Sequence, residues 1–552
     1  RHGLPKNACV SKGKTVFEMF CKVRTAYCES DAFYTSVGED LMHVECHGKT
    51  SSPPSWAIYT ISMLRALGKF NPGVHIKCVE GIHTIHMLAD MFVDDKDMWT
   101  ESSDNGTSNE KAKLMTDFRR AAQAWERILF ASGGLLALHK CYWWMVGWKG
   151  TEGMPVLLEK SELDVSLALE NGNDTAKSTI KHKGPNDVNF GLGFRMAPSG
   201  TQTPEIKFRK KQSDSLACRL GASHLNPAEA WVLYSSVYIA KVYFPCKISS
   251  FTENEWASVT SRATHTLLPK MNFNRNTSRI VVYGTRRLGG IGLTHGYARQ
   301  GAESVCHLLT HIRWGGDLGT VMISVLSQVQ LLSGRGVSIL ESPIQRPKRN
   351  ANKKAHIYKW HHLGIGWFQS MSMFLHTMNG SIILKDLWTP QPVRESDSIL
   401  MDDFCDVIKL SEWEWAQVNS VRLWLRALTV ADIADPSGRH IEAWVRVGGH
   451  RLESNLSWPR QEKPSSSAYC IWRKCLRLAY NPSSPSRLRL REILPLRRPL
   501  GAWTKRSHVL HPHFSSEHVL CMRQPDNSYH RHRIVNSIIR DCSSHRTPTA
   551  LP

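Results

Sequence analysis

Residues Ile85, Met87, Ala89 and Met91 fall at alternate positions and run straight into Phe92-Val93-Asp94-Asp95. An apolar period of two marks a strand with one buried face, and this one ends on two adjacent carboxylates. Like charges side by side are costly unless something neutralises them. A strand aims successive side chains to opposite faces, so only a tight turn brings both carboxylates to one place. The segment is expected to be a strand that ends in an acidic turn. Divalent cations are the usual neutralisers of such a turn. Magnesium takes hard carboxylate oxygens and leaves positions for substrate phosphates. Taken alone, most Asp-Asp pairs are solvated turn residues, so the neighbouring sequence has to carry the argument.

Upstream, Pro53-Pro54-Ser55-Trp56 opens an apolar run that continues to Leu67 and is closed by Gly68. Proline in the first turn and glycine past the end predict a helix. Val74 to Val79 alternates like a strand, and Glu101 to Asn109 reads as a loop. Leu114, Phe118, Ala121, Ala122, Trp125, Ile128 and Leu129 share one helical face, which Gly133-Gly134 ends. Residues 150–187 are polar and are expected to be a loosely ordered excursion. Residues 188–300 mix strands and helices. Residues 300–460 are expected to be mainly helical, with a break near Ser342–Lys354. From Pro464 the abundance of Ser, Pro, Arg and His predicts weak order.

Charge limits the partners. Lys and Arg number 70 against 48 Asp and Glu, a net charge of +22. Such an excess favours a polyanion, most often nucleic acid. Residues 451–552 hold 18 Lys/Arg against 6 Asp/Glu, so a fifth of the chain carries more than half of the excess. No apolar run is long enough to span a membrane, and no signal segment follows Arg1, so an intracellular place in cytoplasm or nucleus is expected. The 14 cysteines include no CxxC pair, and structural zinc is not expected.

The ordered motifs are more specific than any one of them. Phe92-Val93-Asp94-Asp95 resembles motif C of reverse transcriptases, the palm hairpin that carries two aspartates. His47-Gly48-Lys49-Thr50-Ser51-Ser52-Pro53-Pro54-Ser55-Trp56-Ala57 resembles motif B. Ser132-Gly133-Gly134-Leu135-Leu136-Ala137-Leu138-His139-Lys140 resembles motif D, and Leu192-Gly193-Phe194-Arg195-Met196 resembles the Leu-Gly strand of motif E. Arg24-Thr25-Ala26-Tyr27, Trp125-Glu126, Val281-Val282-Tyr283-Gly284 with Gly289-Gly290-Ile291-Gly292, and Trp458-Pro459-Arg460-Gln461 are similar to a retroelement group common in diatoms and other microalgae.

The resemblance implies an RNA-directed DNA polymerase of α+β class. It would be a partial right-hand polymerase, a palm hairpin with flanking helices, followed by a mainly helical region and a disordered basic tail. Its divisions would be the later palm at 1–150, the palm end and a thumb-like region at 151–300, a helical region at 301–463 and the tail at 464–552. Asp94 and Asp95 would be catalytic and would hold Mg2+ or Mn2+. Lys140 would sit near the phosphates, and His47, Gly48 and Pro53 would line the nucleotide and template pocket. The partners would be an RNA or DNA template-primer and deoxynucleoside triphosphates, with no membrane. The acidic ligand of motif A has no counterpart among the residues before His47, so the true start is expected upstream. His47 stands where the family has glutamine, Lys96 replaces a small polar residue, and Asp90 adds a charge to the strand. Two functions therefore stand side by side: two-metal nucleotidyl transfer, and a non-catalytic nucleic-acid-binding remnant of a decayed element.

Three further signals have plainer readings. Gly289-Gly290-Ile291-Gly292 lacks the Gly-Lys-Ser/Thr ending of a phosphate loop and is expected to be a glycine turn. His508, His511, His513, His518 and Cys521 match no standard zinc spacing and read as a solvated tail. Trp143, Trp144 and Trp148 are expected to be core.

Overall fold

The computed structural model describes residues 52–480, apart from 83, 93–94, 102–107, 132–134, 152–153, 164, 173, 192, 342–365, 386, 395–396, 408–409, 436–439, 449–450 and 460. His47, Gly48, Asp94 and the His-rich and Arg-rich tail segments lie outside the described residues. In chain order the elements are α1 (Ser52–Leu67), β1 (Val74–Lys77), β2 (Thr84–Met87), β3 (Ala89–Phe92), β4 (Asp95–Met98) and α2 (Ser108–Ala131). Then follow β5 (Tyr142–Trp144), β6 (Trp148–Thr151), β7 (Met154–Leu157), β8 (Leu167–Asn171), β9 (Asp174–Lys183), β10 (Asn189–Gly191) and β11 (Phe194–Met196). The remainder is helical: α3 (Thr203–Ala222), α4 (Pro227–Leu233), α5 (Glu253–Lys270), α6 (Gly296–Trp314), α7 (Gly316–Ser333), α8 (Gly366–Thr377), α9 (Leu400–Val407), α10 (Glu412–Leu425) and α11 (Ser466–Tyr480), with shorter turns between. The class is mixed helix and sheet, as the sequence predicts.

The chain divides into two compact units. The first takes residues up to His75, His86–Trp143 and Asp164–His182; the second takes Ile76–Ile85, Trp144–Leu163 and everything from Lys183. In the first unit, α1 ends at Leu67 and Gly68 as its proline and glycine predict. Leu67 and Met63 are buried with Trp125 of α2, and Leu88, Ala89, Met98, Ile128, Leu129 and Leu136 pack around them. The expected continuous strand over Ile85–Met91 is interrupted at Leu88, which separates β2 from β3.

The expected loose excursion at 150–187 is ordered instead. β6 pairs with β7, and β8 and β9 join β5 in a three-stranded sheet ordered β5-β9-β8. Few apolar residues suffice because they fall at alternate positions. Leu167, Leu169 and Ile180 are buried, while Ala176 to Thr179 face solvent. Helix α2 holds this sheet by its edge. Buried Glu126 accepts from Gly172 N at 2.7 Å, Gln123 bonds both backbone groups of Glu170, and Arg127 donates to Gly172 O at 2.6 Å. Trp143 is core, stacked on His182 with ring centroids 4.1 Å apart, whereas Trp148 is 62 % exposed and is not core.

The second unit holds two apolar cores. One gathers α3 to α8, and the other gathers α9 to α11. Weak order is expected from Pro464, but Ser466–Tyr480 form the complete helix α11. Ala468, Trp472, Cys475 and Ala479 recur at spacings of four, three and four and are all buried. Buried Gln300 of α6 ties the first core together. Its carbonyl accepts from Ser249, Phe251 and Trp256, and its amide donates to Phe251 O and Ser370. Gly289-Gly290-Ile291-Gly292 is a glycine turn, with φ of +78° and +81° at its ends. A Cβ on Gly290 would lie 2.2 Å from Gly284 O.

Candidate functional site

The acidic strand end forms a hairpin. β3 and β4 are antiparallel, with Ala89 opposite Met98, Asp90 opposite Asp97, Met91 opposite Lys96 and Phe92 opposite Asp95. Residues 93 and 94 lie outside the described residues. Asp95 is the first residue of β4. Asp90 and Asp97 are both exposed and directly opposite, an arrangement that disfavours pairing unless charge is compensated. Among the described residues, no three His, Cys, Asp or Glu side chains form a metal-holding group. Asp94 lies outside that description.

The base of the hairpin is held by a residue that sequence reasoning missed. Asn71, 2 % exposed, donates to Leu88 O at 3.2 Å and to Trp99 O at 3.0 Å, one carbonyl beyond each end of the hairpin. Its carbonyl accepts from Gly73 N at 3.2 Å and from the Thr100 hydroxyl at 2.8 Å. Trp99 N closes the ladder on Leu88 O at 3.2 Å. Gly73, at φ +69°, permits the turn; a Cβ there would meet the His86 ring and Met87 O. Glu101 adds a second tie, accepting from His75 N at 2.9 Å and lying 2.8 Å from His75 Nδ1. The Asn-Pro-Gly at 71–73 was the available signal, since such clusters build side-chain-capped turns.

Lys140 is exposed at the end of the turn over Leu138–Lys140, and its backbone N donates to Ala137 O at 2.9 Å. Beside it, burial pushes the Cys141 thiol up. Pro53 lies in the first turn of α1. The three segments expected to surround the nucleotide, α1, β3–β4 and the approach to Lys140, all contribute to the core around Leu67 and Trp125.

Leu192 lies outside the described residues; Gly193 is a turn residue, and the rest of the expected strand, Phe194–Met196, is β11. Gly193 sits at φ +85° between β10 and β11, because a Cβ there would lie 2.9 Å from the Phe244 ring. This hairpin is clamped to α3 by charge. Glu205, wholly buried, pairs with Arg209 and accepts from Arg195 N at 3.0 Å, while Arg209 donates to Gly193 O at 2.6 Å. Arg195 stacks on Phe208, with its guanidinium carbon 3.4 Å from the ring centroid.

Helices α3 and α5 run parallel, with Lys210 bonded to Ser258 near one end and Lys270 to Ser223 O at the other. Their solvent faces and the following loop expose Lys207, Lys210, Lys211, Arg262 and Arg279. Among the described residues, no helix is long and apolar enough to cross a membrane. No protein-family model, no curated protein and no solved structure matches this chain.

Proposed function

We propose that the chain derives from a reverse transcriptase and extends a primer 3′ end by two-metal nucleotidyl transfer. The observation that supports this reading most is the β3–β4 hairpin. Phe92 pairs with Asp95 across it, and its base shares one core with the helix carrying Pro53 and the segment leading to Lys140. The donor set suits the chemistry: carboxylates at 94 and 95 are hard oxygen ligands of the kind Mg2+ or Mn2+ takes. Bound there, such ions would neutralise the attacking and leaving oxygens. Asp94 and Asp95 hold them, Lys140 offers positive charge to the triphosphate, and His47, Gly48 and Pro53 border the incoming nucleotide. Template-primer and deoxynucleoside triphosphates are the partners, and an intracellular setting in cytoplasm or nucleus goes with them.

The test is primer extension with magnesium, comparing the chain with Asp94→Ala/Asp95→Ala. Synthesis abolished in the double variant supports the reading. Equal synthesis in both, or none in either, refutes it. The exposed basic residues of α3 and α5 and the charge of +22 favour a second reading, a non-catalytic nucleic-acid-binding remnant. That reading predicts salt-dependent binding of primer-template without synthesis.

A further inference from the structure

One face of α6 carries a row of heteroaromatic rings that the nucleotidyl-transfer chemistry does not use. His307, His311 and Trp314 are spaced i, i+4 and i+7, which aligns them along one side of the helix. The opposite side, with Val305, Leu308 and Ile312, is buried. The rings meet edge to face. Centroids are 5.6 Å apart for Trp314 and His311, 4.5 Å for His311 and His307, and 6.2 Å for His307 and Trp367 at the start of α8. Trp367 packs on buried Phe368 and donates through Nε1 to Lys247 O at 2.9 Å. The row is therefore anchored in the core at one end and open at the other, where Trp314 is 69 % exposed.

A single exposed tryptophan needs no explanation, but this one ends a row whose other rings, His311, His307 and Trp367, are half-buried and reach the surface. Two of the four are imidazoles, and Lys247 and Arg313 flank the row in exposed positions. Asp317, at the start of α7, is the nearest carboxylate along the chain. Such a surface suits a ligand that presents ring faces and negative charge together. Aliphatic protein side chains offer neither.

We propose that this row is a stacking platform for unpaired bases of single-stranded nucleic acid, with Trp314 as its outermost contact and Lys247 and Arg313 meeting the phosphates. The proposal rests on the nucleic-acid reading above for its class of partner. Every base has a π-face, so the platform is expected to be tolerant of sequence.

The experiment is an anisotropy titration of a labelled 20-mer of deoxythymidine with the full chain, its Trp314→Ala, His311→Ala and Trp314→Phe variants, and an abasic strand of equal length. Trp314→Ala should weaken binding about 5- to 100-fold, the range for loss of one base-aromatic stack. Trp314→Phe should retain most of the affinity. The slope against salt should not change, because stacking releases no counterions. The difference between wild type and Trp314→Ala should vanish on the abasic strand. Equal binding by Trp314→Ala and wild type overturns the platform and leaves the proposed function intact. An equal loss on the abasic strand also overturns it. So does a wild-type dimer that Trp314→Ala makes monomeric in sedimentation, which would assign the row to a second copy of the chain. No binding by wild type removes the nucleic-acid partner itself, and the platform with it.

Discussion

Asn71→Ala should loosen the acidic hairpin from its base outward. The wild-type amide makes four hydrogen bonds of 2.8–3.2 Å. Their loss is uneven. Leu88 O keeps its bond from Trp99 N, and the Thr100 hydroxyl can turn toward water. Trp99 O and Gly73 N are left without their partner, and Gly73 is buried. Each stranded backbone group costs about 1–3 kcal/mol, so the variant should lose roughly 2–6 kcal/mol. Asn71→Asp keeps the acceptor but sets a buried carboxylate oxygen against Leu88 O and Trp99 O, so it should lose at least as much. Hydrogen exchange read by mass spectrometry is the assay, since it resolves local opening. Faster exchange should appear in peptides covering 86–101, with those covering α6 and α7 unchanged. Protection of 86–101 within about 0.5 kcal/mol of wild type would refute the assignment of Asn71 as the hairpin's anchor.

Arg422 is wholly buried, and its Nη2 donates to Leu331 O and Leu332 O, each at 2.8 Å, at the C-terminal end of α7. Arg422→Met should lower stability by about 2–4 kcal/mol in urea unfolding, and Arg422→Lys should not restore it because the fork of donors is lost. Gly334 sits at φ +67° with a hypothetical Cβ 2.6 Å from Arg422 Cζ, so Gly334→Ala should cost about 1–3 kcal/mol by the same measurement. Gly290→Ala should be at least as damaging, about 2 kcal/mol or more, since the atom it meets is backbone. Acid should also destabilise the second unit. Burial holds the His295 imidazole below its usual range, against an opposing pull from Glu253, and its Nδ1 caps α6 by accepting from Ala298 N at 3.3 Å. Burial also lowers His307 and His376. A depressed folded value means the contribution is intact above the unfolded value near 6.5 and is lost as pH falls below it. Melting temperature should fall from pH 7 to pH 5, and His295→Asn, which caps without titrating, should remove part of that slope.

What could be read in advance was local. Helices α1 and α2 follow from proline, glycine and a 3.6-residue apolar period; the period of two over Ile85–Met91 marks strand, which Leu88 divides into β2 and β3. Helix α11 was equally legible in the spacing of Ala468, Trp472, Cys475 and Ala479, but the Ser- and Arg-rich composition around it concealed the stripe. The three-stranded sheet was not legible. Its strands are mostly polar and are held by Gln123, Glu126 and Arg127 from a helix more than 40 residues upstream.

The candidates at Asp94, Asp95 and Lys140 were proposed because their segments resemble ordered motifs, not because of residue type alone. Their supports were not visible in the sequence. Asn71 reads as an ordinary turn residue until Leu88 O and Trp99 O are seen on either side of it. Gln300, Arg422 and the ring row on α6 likewise take their meaning from residues dozens of positions away. Sequence determined α1, α2 and α11, because periodicity and caps act within a few residues. Tertiary structure alone decided which polar groups are buried and what satisfies them, because that depends on partners the chain brings together only by folding.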